Sequence, residues 1–275
     1  MLWLLFCNQA WAAATCELQS EQLERLQPVT VSKVYDGDTV LLADGRKVRL
    51  IGVNTPEIGR EGRADEPLAT KARGFVKQRS SQTVWLQVGE QRRDKYGRVL
   101  GHLFSADGRN LTAELLSQGL GFIVAIPPNV SFQQCYFAAQ KQAEHNDLGV
   151  WRHSYHRLRS VADKEDLKGG FGRYWGKVQR IFINNKVIWI DFYGDVSLRV
   201  SREHADHLKG DVLNQILQAV DNHQEQRLPH LVFSGWLMDR TQWGSKMAAR
   251  VAAGKRKRWQ MNISHRHHWR WADSQ

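Results

Sequence analysis

The sequence predicts a mainly β protein of the α+β class, with a small twisted barrel that carries helices and a second, smaller β-rich domain. Short β-branched runs are separated by Asp44-Gly45 and Asp107-Gly108, and Asp-Gly pairs favour tight hairpin turns. The composition becomes polar and charged after Trp151, and a second apolar pattern begins at Phe171. A chain of 275 residues has room for two domains.

The first part of the chain alternates predicted strands with three predicted helices. Pro67 suits the first turn of a helix, and Asn110 is a candidate cap for a helix that Gly119 ends. The predicted strands are Val31–Lys33, Val40–Ala43, Lys47–Val53, Thr83–Val88 and Val99–Phe104. The predicted helices are Pro67–Arg79, Leu111–Gln118 and Phe132–Asp147. This order indicates a small barrel with helices on its outside.

The rest of the chain predicts a linker and an accessory domain. The predicted boundaries are 1–14 for a signal peptide, 15–152 for a catalytic domain, 153–170 for the linker and 171–275 for the accessory domain. The predicted strands of the accessory domain are Trp175–Phe182, Lys186–Phe192, Val196–Val200, Leu231–Asp239 and Arg258–Ser264, with a helix at His204–Asn222. Strands, one helix and further strands follow an OB-like order, and we expect this domain to be non-catalytic.

The net charge is strongly positive. The chain carries +11 at pH 7 and has a pI near 9.8. Basic proteins of this kind attract polyanions such as nucleic acid. A solvated basic surface without a specific partner is the alternative. No long amphipathic basic helix is evident, so we expect no stable membrane insertion.

The N-terminus indicates export. An apolar run ends in Ala-Trp-Ala-Ala-Ala at 10–14, which is typical of a cleaved signal peptide, and we expect a periplasmic or extracellular protein. Cleavage removes Cys7 and leaves Cys16 and Cys135. In an exported chain these two cysteines predict one disulfide, which would stabilise the fold by about 4 kcal/mol. Two unpaired thiols are the alternative.

One stretch, 31–57, combines charges that point to a site. Asp36 and Asp38 lie in a bend, Glu57 follows the second strand of a predicted hairpin, and Arg49 lies within that strand. An arginine inside a Val-Arg-Leu-Ile strand is costly unless an anion meets it. A plain turn at Asp36-Gly37-Asp38 and a structural Arg49–Glu57 ion pair are the alternatives.

Residues of about 29–152 resemble the staphylococcal (micrococcal) nuclease family. Five blocks occur in the order and spacing of that family: Asp36-Gly37-Asp38-Thr39, Val48-Arg49-Leu50, Asn54-Thr55-Pro56-Glu57, Asp94-Lys95-Tyr96-Gly97-Arg98 and Leu116-Ser117-Gln118-Gly119-Leu120. The resemblance implies an OB-type five-stranded barrel, a Ca²⁺ site and hydrolysis of phosphodiester bonds in DNA and RNA. Mg²⁺ and Mn²⁺ are the alternative metals.

Matching these blocks to the family implies roles for individual residues. Arg49 and Arg98 would stabilise the phosphate of the transition state, because a guanidinium can donate two hydrogen bonds to it. Glu57 would activate the attacking water. The metal ligands would be Asp38, Asn54 and the Thr55 carbonyl, which are hard oxygen donors that suit Ca²⁺. The implied substrate-binding residues are Asp36, Lys95 and Tyr96.

Two departures from the family pattern affect these roles. Position 54 is normally an aspartate in the family, so Asn54 removes one negative charge and we expect weaker metal affinity or an altered metal preference. The type member also has substrate-stacking tyrosines within the segment that matches Phe122–Pro128, where this chain has no aromatic residue after Phe122. Base stacking must then come from elsewhere or be weaker.

Two functions follow. The first is an exported, metal-dependent nuclease that needs no obligate protein partner, and the second is a catalytically weakened nucleic-acid-binding protein of nuclease ancestry. The C-terminal tail mixes cations with aromatic residues, which also suits nucleic-acid binding. A metal site at His265, His267 and His268 is one interpretation of the tail, and a polar strand end with Trp269 and Trp271 packed on the barrel is the other.

Overall fold

The structure, a computed structural model, describes residues 16–272, without the side chains of His204 and Gln226. The predicted signal peptide and Cys7 lie outside the described residues. The N-terminal part (residues 16–152) contains, in chain order, α1 (Ser20–Leu23), β1 (Gln27–Val29), β2 (Val31–Val34), β3 (Thr39–Leu42), β4 (Lys47–Leu50), β5 (Gly52–Asn54), α2 (Ala69–Arg79), β6 (Val84–Arg93), β7 (Val99–Phe104), α3 (Leu111–Ser117), β8 (Phe122–Val124) and α4 (Gln133–His145).

Six of these strands form one curled sheet in the order β1-β6-β7-β4-β3-β2. β4 and β7 are parallel, and the other neighbours are antiparallel. The predicted mainly β, OB-like fold with three principal helices is confirmed. The predicted strand Lys47–Val53 is divided into β4 and β5, and β5 pairs with β8 outside the main sheet. Gly52 has φ +93° at the break, where a side chain would collide with the Tyr136 ring.

The predicted β3–β4 hairpin is present and sets the position of Arg49. Gly45 has φ +86° in its turn, and the Asp44 carboxylate accepts the Arg46 backbone N–H at 3.0 Å. The hairpin register pairs Thr39 with Arg49. A residue that follows the acidic bend is therefore directly opposite the strand arginine.

The helices pack on the sheet through one hydrophobic core. Asn110 caps α3 as predicted, and its Oδ1 accepts the Thr112 backbone N–H at 2.9 Å. The Tyr136 hydroxyl on α4 is fully buried and donates to Asn110 Oδ1 at 3.2 Å. A disulfide joins Cys16 to Cys135, in agreement with the predicted pairing. Because Cys135 lies on α4, this bond links the start of the described chain covalently to that helix.

The C-terminal part (residues 153–272) is a second β-rich body. Its strands and helices are β9 (Arg159–Ser160), β10 (Gly170–Gly176), β11 (Val178–Ile183), β12 (Val187–Phe192), β13 (Val196–Ser201), α5 (Ala205–Leu208), α6 (Asp211–Asp221), β14 (Leu231–Asp239), α7 (Ser245–Ala252), β15 (Trp259–Ile263) and β16 (Trp269–Trp271). Short 3-10 helices of this part occur at Ser154–His156, Lys164–Asp166, Arg202–His204, Glu225–Arg227, Arg240–Trp243 and Arg266–His268. Another, Gly149–Trp151, lies at the end of the N-terminal part.

The second sheet follows the order β11-β12-β13-β15-β14-β10-β9, and β16 pairs with β14. It has its own hydrophobic core, which includes Trp269 and Trp271, so the interpretation that these residues pack on the body of the domain is confirmed. The predicted strand Trp175–Phe182 is two strands separated at Lys177. The predicted helix His204–Asn222 is broken before α6, because Gly210 adopts φ +154°.

The segment predicted as a linker takes part in the second body. β9 pairs with β10, and Val161 and Leu167 are buried in the second core. The structure therefore has regular pairing and packing inside residues 153–170. The division of the chain into domains at 152 and 170 stays a prediction.

The two parts contact each other through polar and aromatic groups. The Ala125 backbone N–H donates to His268 Nε2 at 2.9 Å, and the Ser264 hydroxyl donates to the Ala125 carbonyl at 3.0 Å. Glu144 on α4 lies 3.3 Å from Arg173 Nη2 and 3.1 Å from Arg270 Nη2. Across residues 16–272, no helix combines the length and apolar character needed to span a bilayer.

Candidate functional site

An acidic bend lies between β2 and β3. Asp36 and Asp38 are only 4% and 3% exposed. Asp36 Oδ1 accepts the Asp38 backbone N–H at 3.2 Å, and Asp38 accepts the Thr39 hydroxyl at 2.9 Å and the Thr55 backbone N–H at 3.0 Å. A buried carboxylate is costly unless hydrogen bonds or positive charge compensate it. These two carboxylates therefore require cationic partners.

Arg49 is one such partner. Its Nη2 lies 3.1 Å from Asp38 Oδ2, so Arg49 forms its ion pair with Asp38. The alternative of a structural ion pair between Arg49 and Glu57 is therefore wrong. Its Nη1 donates to the Leu50 and Val53 carbonyls, both at 2.7 Å. These contacts hold the guanidinium in place at the end of β4 and leave its side chain 13% exposed.

The loop after β5 supplies the other polar groups on this side. Asn54 Oδ1 accepts a long hydrogen bond from Arg49 Nη2 at 3.5 Å, and Thr55 is buried. Glu57 is exposed, and its backbone is held by Glu66. Glu66 Oε2 accepts the Glu57 N–H at 3.0 Å, and the Glu57 carbonyl accepts the Glu66 N–H at 2.9 Å. The loop therefore presents the Glu57 carboxylate from a fixed backbone.

The turn between β6 and β7 carries the remaining predicted residues. Arg98 Nε donates to Asp94 Oδ2 at 2.7 Å, which fixes the guanidinium against the turn. Tyr96 is 72% exposed, and both Arg98 and Lys95 lie over its ring, at 5.5 Å and 5.0 Å from the centroid. Lys95 and Tyr96 are therefore accessible to a large ligand.

Strand pairing brings Arg98 to the face that carries Arg49. β4 and β7 are parallel, and Arg49 is opposite Leu100. Side chains alternate along a strand, so Arg98, two residues before Leu100, falls on the same face as Arg49, about 7 Å back towards the start of the two strands. The contacts described above bring Asp36, Asp38, Arg49, Asn54 and Thr55 together, with Glu57 in the same loop. We name these residues, with Arg98 on the same face of the sheet, the candidate site.

Known proteins are similar in sequence to the part of the chain that carries this site. The sequence model of the staphylococcal nuclease homologue family matches residues 47–153. The thermonuclease of Staphylococcus intermedius is 34% identical over 125 residues, which cover 44% of this chain and 74% of that protein. This chain belongs to the staphylococcal nuclease family.

Two further relatives of this nuclease-family chain cover the same region. The thermonuclease of Staphylococcus hyicus is 33% identical over 130 residues, which cover 46% of this chain and 76% of the relative. Endonuclease YncB of Bacillus subtilis (strain 168) is 29% identical over 141 residues, which cover 49% of this chain and 66% of the relative. Each match spans about half of the present chain.

The electrostatics of this staphylococcal nuclease-family site are dominated by negative charge. Burial, reinforced by the charges of Asp38 and Glu57, raises the pKa of Asp36 from 3.8 to about 7. Although Glu57 is exposed as a residue, its carboxyl is partly desolvated beside the acidic bend. This desolvation and the charge of Asp38 raise the pKa of Glu57, while Arg49 and Arg60 oppose the effect. The carboxylates are therefore undercompensated by the arginines, and a bound cation would relieve their mutual repulsion.

The residues present fit a hard cation. The acidic bend offers buried carboxylate oxygens, Asn54 offers an amide oxygen, and Thr55 Oγ1 is buried without a hydrogen-bond partner. Oxygen donors of this kind suit Ca²⁺, Mg²⁺ and Mn²⁺. Within residues 16–272, no group of three or more His, Cys, Asp or Glu side chains forms a metal cluster, so a site here depends on Asn54 and Thr55 beside the carboxylates.

Three further residues, outside the set predicted from the sequence, contact this site. Arg60 Nη2 lies 3.6 Å from Asp36 Oδ2. The Tyr155 hydroxyl donates to Glu66 Oε1 at 3.2 Å, so it supports the residue that fixes the Glu57 backbone. Arg60 and Glu66 belong to the charged segment 59–66, GREGRADE, which is visible in the sequence. Tyr155 gave no such signal, because the fold brings it from 89 positions away.

The segment without stacking tyrosines is covered by the C-terminal part. Phe122 stacks on Phe171 with ring centroids 5.4 Å apart and an interplanar angle of 27°. Val124 lines a cavity with C-terminal residues, and Ile126 lines the same cavity and is 51% exposed. Aromatic side chains therefore reach this region of the nuclease fold from the second body, whereas its own strand supplies only Phe122.

The histidines of the tail have structural contacts. His268 Nε2 accepts the Ala125 N–H, and His267 stacks on Phe137 with centroids 4.1 Å apart. Burial lowers the pKa of both histidines to about 3. Neighbouring basic residues are also used in the fold, since Arg258 pairs with Asp239 at 2.7 Å. In the described part of the chain, these histidines form no metal cluster.

Proposed function

We propose that the protein is a metal-dependent nuclease that hydrolyses phosphodiester bonds of DNA or RNA. The observation that carries this proposal is the buried Asp36–Asp38 bend in contact with Arg49, next to Glu57, in a chain of the staphylococcal nuclease family. The names of its relatives, thermonuclease and endonuclease, support the same activity. A net charge of +11 suits a polyanionic substrate.

Arg49 and Arg98 stabilise the reacting phosphate. Hydrolysis makes the phosphate oxygens more negative in the transition state, and fixed guanidinium groups then bind them more strongly than in the ground state. Arg49 is held by two backbone carbonyls and Arg98 by Asp94, so neither has to be ordered during the reaction. Tyr96 and Lys95, exposed on the neighbouring turn, contact the substrate backbone.

Glu57 accepts the proton of the attacking water. The raised pKa of Glu57 makes its carboxylate a stronger base than that of an ordinary glutamate. The two backbone hydrogen bonds to Glu66 fix the direction from which the carboxylate approaches. Water attacks phosphorus, its proton passes to Glu57, and the leaving oxygen departs from the opposite side of the phosphate.

A divalent cation would be held by Asp38, Asn54 and the Thr55 carbonyl, with Asp36 beside it. When bound, such a cation neutralises negative charge on a phosphate oxygen. Ca²⁺ is our first candidate, and Mg²⁺ and Mn²⁺ are the alternatives. Asn54 gives the set one charge fewer than an aspartate would, so we propose a weaker or less selective metal site than in the family pattern.

We also propose that the protein is exported and that its C-terminal part is a non-catalytic accessory domain. The Cys16–Cys135 disulfide supports export, because disulfides persist in oxidising compartments. The N-terminal sequence supports it as well. The separate hydrophobic core of residues 161–271 supports an accessory domain.

The test is cleavage of single-stranded DNA and RNA by the full chain with Ca²⁺, Mg²⁺, Mn²⁺ or EDTA. We expect cleavage that requires a metal and falls by at least about 100-fold in Glu57→Gln, since a general base contributes about that much or more. Glu90→Gln, which changes an exposed glutamate outside the site, is the matched control and should cleave like the wild type.

Asn54 favours a second function, in which the site binds nucleic acid without efficient cleavage. Salt-dependent binding of DNA that is insensitive to Glu57→Gln, together with the absence of metal-dependent cleavage, would overturn the nuclease proposal and support this alternative.

A further inference from the structure

A cavity of about 240 Å³ connects the candidate site to the C-terminal part. One wall is Asn54, Thr55 and Pro56, which belong to the loop that precedes Glu57. Most of the cavity's other lining residues lie between Tyr155 and Tyr174, outside the region that matches the nuclease family. We name it the site-proximal cavity. A ligand bound at the candidate site can therefore extend into it without leaving the protein surface.

The charge of the site-proximal cavity is positive. Four cations and two carboxylates line it: Arg157, Arg159, Lys168, Arg173, Glu66 and Asp166. Asp166 pairs with Arg157 at 2.7 Å, and Glu144 pairs with Arg173 at 3.3 Å. Lys168 is exposed, and none of the ion pairs of the described residues includes its ammonium. The surplus charge and this free ammonium are complementary to a phosphate.

A second cavity of about 360 Å³ lies on another side of Phe171, which lines both. We name it the aromatic cavity. Trp236 is 39% exposed there, and its ring meets the Phe171 ring edge-on at 5.1 Å. The two residues are register partners on β10 and β14, so the sheet holds both rings in position. Arg199 also lines this cavity, and none of the ion pairs of the described residues includes it.

A cation and an exposed aromatic ring in alternation are what a single strand of nucleic acid requires. Cations bind successive phosphates, and aromatic rings stack on unpaired bases whatever their identity. The site-proximal cavity supplies the cations beside the candidate site. The aromatic cavity supplies the exposed ring, on the other side of Phe171. Double-stranded nucleic acid has no exposed base faces, so it cannot use the Trp236 ring in this way.

We propose that the C-terminal part binds the single strand that leaves the candidate site, with Lys168 on a phosphate and Trp236 stacked on a base. This inference rests on the proposed function for the direction of the strand. It also assigns the stacking that the first body lacks after Phe122 to a ring from the second body. The accessory part is thereby a substrate-binding extension of the active centre.

The test compares binding and cleavage by the full chain. Binding of a fluorescent 20-nucleotide single strand is measured by anisotropy in EDTA, and cleavage of a dinucleotide and of the 20-mer is measured with metal. The variants are Lys168→Gln and Trp236→Ala. The matched controls are Lys246→Gln and Trp243→Ala, which change an exposed lysine and an exposed tryptophan outside both cavities.

We expect Trp236→Ala to weaken binding of the 20-mer by about tenfold, which is the scale of one lost base stack. Lys168→Gln should reduce the slope of log Kd against log salt by about 0.7, which corresponds to one phosphate contact on a single strand. Cleavage of the dinucleotide should stay unchanged in Trp236→Ala, because Trp236 lines only the aromatic cavity, beyond the site-proximal cavity next to the candidate site.

Wild-type binding of the 20-mer in Lys168→Gln and Trp236→Ala would overturn the inference, and so would equal losses in the Lys246 and Trp243 controls. Equal losses of dinucleotide and 20-mer cleavage in Trp236→Ala would overturn it as well, because they would indicate damage to the catalytic centre. If the chain cleaves neither substrate, the nuclease proposal fails. The binding measurements in EDTA still show whether Lys168 and Trp236 bind the single strand, because they do not depend on cleavage.

Discussion

Asp36→Asn should stabilise the metal-free protein, and the gain should grow with pH. The Asp36 carboxyl is buried beside Asp38, and its pKa is raised from 3.8 to about 7. Between these two values the folded protein holds a proton that the unfolded chain has released. The free energy of unfolding of the wild type therefore falls as the pH rises through this window. Asparagine does not ionise, and its Oδ1 can still accept the Asp38 N–H.

The size of the effect follows from the pKa. The interval from 3.8 to about 7 corresponds to about 4 kcal/mol of lost stability once Asp36 is fully ionised in both states. At pH 5 only about 1.6 kcal/mol of this loss is present. The advantage of Asp36→Asn over the wild type should therefore increase by about 2–3 kcal/mol between pH 5 and pH 8.

The assay is urea unfolding of the full chain in EDTA at several pH values between 5 and 8, with the disulfide intact. Asp163→Asn is the matched control, since this exposed carboxylate keeps its contact with water in the folded protein. A stability difference between wild type and Asp36→Asn that is constant or shrinks with rising pH would refute the reasoning. With Ca²⁺ added instead of EDTA, we expect the wild type to have a higher free energy of unfolding than Asp36→Asn, because the ion stabilises the wild type more than the variant.

Three further outcomes are expected. Asn54→Asp should tighten Ca²⁺ binding, because it restores a carboxylate to the proposed ligand set, and an equal or weaker affinity by calorimetry would contradict this. Reduction of the Cys16–Cys135 disulfide, which closes a loop of 119 positions, should lower the free energy of unfolding by about 4–5 kcal/mol in urea unfolding. Glu66→Gln removes a charge that raises the pKa of Glu57, so the acid limb of the pH–rate profile should move to lower pH; an unmoved limb would show that Glu57 does not titrate there.

The N-terminal part was largely predictable because local signals agree with its fold. Asp44-Gly45 requires a hairpin, Asn110 caps a helix, and the strand arginine needs an anion. The structure provides each of these partners. The break of Lys47–Val53 was missed because apolar residues flank Gly52 on both sides. The positive φ of Gly52 and its contacts with Tyr136 and Thr112, which come from distant helices, become visible only in the structure.

The C-terminal part was less predictable because long-range packing determines it. Gly210 breaks a helix whose apolar stripe continues across the break, so periodicity alone gave one helix for two. α7 was not predicted. Most of the apolar residues of 245–252 are alanines, which mark a core face weakly, and in the structure none of its residues is buried. The contacts of Tyr155 with Glu66, and of Phe171 with Phe122, join distant segments and leave no local pattern.

Glu144, on α4 of the N-terminal part, forms ion pairs with Arg173 and Arg270 of the C-terminal part. These ion pairs would help to hold the two parts together if a protease cut the chain between them. Ala162, Asp163, Lys164 and Glu165 are exposed and accessible to a protease. A cut there leaves both ion pairs of Glu144, the His268 contact with Ala125 and the Phe122–Phe171 stack intact. The two fragments would then co-elute under native conditions as one particle and separate only in denaturant, although no peptide bond joins them.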